Sequence, residues 1–65
     1  MTDRAELSSL SGLIEQVTGR ITALAEGARE RHDDDVAKEL FAMERALHGV
    51  LRRLERMLLR NVPRS

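Results

Sequence analysis

The 65-residue chain has no cysteine, no tryptophan and no tyrosine, and it has one proline and one phenylalanine. Without cysteine it can form neither a disulfide nor a thiolate metal site, which suits a reducing, cytoplasmic setting. Phe41 alone makes no platform on which the bases of a single-stranded nucleic acid could stack. No apolar run approaches the roughly 20 residues of a membrane span, so membrane insertion is not expected. The opening MTDRAELSS lacks the basic and apolar regions of a signal peptide, and the chain reads as a complete short protein. Enzyme signatures are also missing. There is no Gly-x-Ser-x-Gly and no glycine-rich phosphate loop after a strand, so an enzyme is not expected and no cofactor is implied.

Proline is absent until Pro63, so nothing between Asp3 and Asn61 forces a helix to break. Apolar residues fall at Leu7, Leu10, Ile14, Val17, Ile21, Leu24 and Ala28, in alternating steps of three and four. A second series runs Val36, Leu40, Met43, Leu47, Val50, Leu54 and Met57. Both are heptad seams, with apolar residues at positions a and d. Between Ala28 and Val36 the register breaks, in RERHDDDVAKEL. There Asp33 or Asp34 can cap a second helix, with Asp35 in its first turn. Asp3 with Glu6 makes a similar start for the first helix, and Gly27 is a candidate for its C-cap. Arg56 and Arg60 fall near the negative end of the second helix.

Folding the chain back at His32 pairs the two series layer by layer, from Ala28/Val36 through Val17/Leu47 to Leu7/Met57, without a slip. The spacing therefore predicts an all-α antiparallel hairpin forming one domain over residues 1–65. Helix 1 covers about 3–30, an acidic turn about 31–34, helix 2 about 34–61, and a short tail 62–65. The rival is one uninterrupted helix in a parallel coiled coil.

A chain this short buries little core alone and usually needs a staple or a partner. Leu13, Phe41, Leu51, Leu58 and Leu59 lie off the central seam. A homodimer forming a four-helix bundle would cover them. Ser11, Thr18 and Ala25 take position e beside the seam, with Gly12 and Gly19 next to them at f. Leu51 and Leu58 take e on helix 2. The expected dimer interface is thus Ser11, Gly12, Leu13, Thr18, Gly19, Phe41, Leu51 and Leu58. Each glycine costs roughly 1 kcal/mol against alanine in a helix interior. Close approach of a partner's backbone would offset that cost; otherwise the glycines face solvent and are tolerated.

Formal net charge is zero but unevenly spread: residues 1–44 carry five basic and ten acidic side chains, residues 45–65 six arginines and one glutamate. Ten of the eleven basic residues are arginine, as a GC-rich genome would give. Arg45, Arg52, Arg53, Arg56 and Arg60 lie on the outer face of helix 2. That face is either solvated, or a contact for phosphates, or a docking face for an acidic protein or an anionic membrane. His32–Asp35 offers a nitrogen and three carboxylates, but adjacent turn residues rarely converge on one metal, so capping is expected and a metal site is not. A di-iron bundle needs Glu-x-x-His, and arginines, Arg29 and Arg45, stand three residues before His32 and His48. Glu44 and His48 form an i, i+4 surface pair.

In layout (length, two long helices, an acidic turn) the chain resembles the plasmid-encoded RNA-binding hairpins of the ROP type. That resemblance implies a bacterial, dimeric four-helix bundle and an RNA- or DNA-binding role through the arginine face; no contact residue is carried over. The function expected from the residues themselves is a non-enzymatic regulatory or adaptor protein, acting by protein–protein interaction as a homodimer.

Overall fold

A computed structural model describes residues 4–60. Two α-helices of 27 residues, α1 (Arg4–Glu30) and α2 (Asp34–Arg60), pack against each other. There is no strand among the described residues. Each helix is roughly 40 Å long at 1.5 Å per residue. The chain is therefore a hairpin, and the uninterrupted helix does not occur. Three ties along its length set the antiparallel register. Arg4 Nη1 donates to the Leu58 carbonyl at 2.8 Å. Thr22 Oγ1 lies 2.5 Å from Glu44 Oε2. The Arg29 guanidinium stands 5.5 Å from the Phe41 ring centroid, a cation–π contact near the turn. Arg4 also places a cation at the negative end of α2, on a carbonyl with no partner inside the helix.

The turn is a Schellman closure. His32 N donates to Arg29 O at 3.0 Å and Asp33 N to Ala28 O at 2.9 Å. This closure puts His32 in the left-handed region, at φ 61°. Gly27 does not end α1, as its sequence position suggested; the helix runs three residues past it. The Asp33 carbonyl accepts from Ala37 N at 3.0 Å, so Asp33 is the N-cap of α2, with Asp34 and Asp35 in the first turn. Asp3, Asn61 and the tail 62–65 lie outside the described residues.

The contact between the helices is rotated from the expected seam. Position d of α1 (Leu10, Val17, Leu24) is exposed, whereas position e is covered: Thr18 and Ala25 are buried and Ser11 half-buried. On α2 the d row (Val36, Met43, Val50, Met57) is likewise exposed, and the e row holds buried Ala37 with half-buried Glu44, Leu51 and Leu58. The a rows, Leu7, Ile14 and Ile21 against Leu40, Leu47 and Leu54, are half-buried. The physical reason is shape. Small side chains on α1 let the helix axes approach, and the longer e residues of α2 reach across them. Buried Thr18 and half-buried Ser11 are thus covered inside one chain, whereas their sequence positions suggest a contact between chains. Thr18 satisfies its hydroxyl on the Ile14 carbonyl at 2.6 Å, so its burial leaves no unpaired donor.

Candidate functional site

The rotation leaves the hairpin with two unlike sides. On each helix the d row lies to one side of the contact. Because the helices run antiparallel, both d rows fall on the same side. Leu10, Val17 and Leu24 thus join Val36, Met43, Val50 and Met57 in one apolar face, with the a rows as its floor. Their exposure runs from 41% to 59%, and no large side chain in the described chain is fully buried. Among the described residues, the only fully or nearly buried apolar ones are Ala25, Ala28 and Ala37. All fourteen a and d positions are uncharged. Leu13, 55% exposed, extends the face along the outer edge of α1.

The opposite side is polar. An open groove there runs between Glu15, Thr18, Thr22, His48, Leu51 and Glu55. Thr22 Oγ1 stands within reach of both Glu44 Oε2 and the Thr18 carbonyl, at 2.5 and 3.1 Å. Its single hydrogen serves one acceptor at a time. Glu44 turns into the helix contact towards Thr22, not along the surface to His48. No group of three or more His, Cys, Asp or Glu side chains among the described residues is placed to hold a metal ion.

The residues expected to face a second copy are divided by this geometry. Ser11, Thr18, Phe41, Leu51 and Leu58 are buried or half-buried within the chain itself. Gly12 and Gly19 are exposed at f, on the far side of α1 from the apolar face, and a methyl group at either would meet nothing within 4 Å. Of the eight, Leu13 alone borders the apolar face. The signal that points to the open surface is present in the sequence: it is the d row, whose spacing suggests the hairpin seam instead.

Arg45, Arg52, Arg53, Arg56 and Arg60 are all exposed. Arg53, Arg56 and Arg60 line one recess together with Met57. The described helices include none long and apolar enough to cross a membrane. The chain matches no known protein-family model, no curated protein and no solved structure.

Proposed function

We propose that the chain is a non-enzymatic regulatory or adaptor protein that works as a homodimeric four-helix bundle. The observation that carries this is the open apolar face, with seven d-row side chains 41–59% exposed along the full length of both helices. Burying a Val, Leu or Met side chain is worth roughly 1.5–3 kcal/mol. Closing the exposed half of this row on two copies contributes on the order of 10 kcal/mol, comparable with an association cost of roughly 4–15 kcal/mol. Pairing the d rows gives a bundle with a and d inside, in place of the interface first expected around Gly12 and Gly19. The hairpin then serves as a rigid scaffold, and its polar sides meet the protein it regulates.

A second role is favoured by the exposed Arg53–Arg56–Arg60 recess: contact with nucleic-acid phosphates. Titration with unrelated duplex DNA and RNA over a salt series separates the two. A steep fall of affinity with salt, shared by all sequences, supports phosphate contact. Absence of binding at low salt supports the adaptor role.

A further inference from the structure

Charge is polarised along the hairpin. The turn end, residues 24–40, carries six carboxylates against three cations, with Asp33, Asp34 and Asp35 at its tip. The open end, residues 4–15 with 50–60, carries five arginines against three glutamates. A two-fold axis can close the apolar faces in two ways. An axis along the hairpin puts both turns at one end, which stacks acidic turn on acidic turn and arginine end on arginine end. An axis across the hairpin puts the turns at opposite ends, and each acidic turn then lies beside the partner's arginines.

The rim of the apolar face points the same way. On α2 the outer flank of the d row is position g: Glu39, Ala46, Arg53 and Arg60, all exposed. The stretch from Glu39 to Arg53 is charge-complementary to itself when reversed about Ala46. In the crosswise arrangement α2 lies antiparallel on the partner's α2, and the middle layer of the hairpin, Val17/Leu47, sits at the axis. Ala46 then meets the partner's Ala46, and Glu39 meets the partner's Arg53, twice. In the lengthwise arrangement α2 faces the partner's α1, which sets Arg53 beside Leu13 and Glu39 beside Gly27. One favourable rim pair, Glu6 with Arg60, remains there, but the two turns stack their carboxylates.

Resting on the homodimer proposed above, we infer that two copies close their apolar faces with the turns at opposite ends, each Glu39 against the partner's Arg53 across Ala46. Charge reversal tests the register. Glu39→Arg or Arg53→Glu alone sets like charges together at two symmetry-related points, and dimer affinity should fall roughly tenfold in low salt. The double variant restores the opposite-charge pairs and should return affinity to within about twofold of the parent. Both positions are exposed on a helix, so folding is not at stake.

Orientation is read directly by pulsed dipolar spectroscopy on Arg31→Cys, spin-labelled at the turn of the otherwise cysteine-free chain. Opposite turns predict a label separation of roughly 40 Å, one helix length. A separation below about 20 Å, or a double variant no tighter than the singles, overturns the crosswise dimer while leaving dimerisation intact. A monomeric mass at every concentration overturns both.

Discussion

Thr22 and Glu44 meet across the helix contact, with Thr22 Oγ1 2.5 Å from Glu44 Oε2. A hydrogen bond to a charged acceptor is worth roughly 1.5–3 kcal/mol in a protected site and less where water competes. Glu44 is half-buried, so Thr22→Val and Glu44→Ala should couple by about 1 kcal/mol in a double-mutant cycle followed by chemical denaturation. Simple additivity of the two losses would mean that the pair does not hold the helices in phase.

His32 adopts φ 61° because the Schellman closure needs a left-handed residue there. A side chain in that region costs roughly 1–2 kcal/mol relative to glycine. His32→Gly should therefore stabilise the hairpin by about 1 kcal/mol, less the extra freedom that glycine gives the unfolded chain. Thermal unfolding at fixed protein concentration reads the change, and a lower midpoint would show that the imidazole makes contacts worth more than the backbone strain.

Gly12 and Gly19 face open space, and an added methyl group meets nothing within 4 Å at either. Each substitution by alanine should gain roughly 1 kcal/mol of helix stability. The doubly substituted chain should keep its oligomeric state, since these positions lie away from the d rows. Loss of the dimer in that variant would place the partner against the glycine face instead.

Val17 and Val50 sit on the apolar face with 46% and 42% of their surface exposed. In a lone hairpin, glutamate at either would be cheap, because half the side chain is already wet. In a closed bundle it would bury a charge without a partner, a cost of several kcal/mol. Val17→Glu with Val50→Glu should abolish dimerisation. It should also remove the dependence of the unfolding midpoint on protein concentration, which the parent chain should show.

Much of the architecture was legible in the spacing of apolar residues. The two heptad series, their break before Val36 and the caps at Asp33–Asp35 point to two helices turned back on each other. The phase of the contact was not legible. Rows a, d and e of α1 are all apolar or small, so three adjacent rows compete for the neighbouring helix. A step of three or four does not say which of two flanks faces which neighbour. Glu44 hides the e row of α2, because a carboxylate at that position reads as an outer residue until Thr22 is seen opposite it. Close approach decided the outcome: Thr18, Ala25 and Ala28 allow it and Leu10, Val17 and Leu24 do not. The C-cap is illegible for a related reason. Gly27 carries the usual signal, but three more helical residues reach the turn, and His32 accepts the strain.

The arginines of α2 were visible from composition, yet their setting was not. Arg53 and Arg60 flank the apolar face, while Arg45 and Arg52 stand on the far side of the helix, so they do not form one surface. Charge reversal at Arg53 should therefore alter assembly, and charge reversal at Arg45 should leave it unchanged.

Closure of the apolar face by a second copy doubles the mass of the particle in solution. Sedimentation equilibrium of the parent chain, over a concentration series at low and high salt, should give about twice the 7.4 kDa chain mass. The dimer should persist at high salt, because its stabilisation is apolar and screening acts only on the charged rim. A folded chain that stays at 7.4 kDa across the whole series would mean that no second copy covers the apolar face.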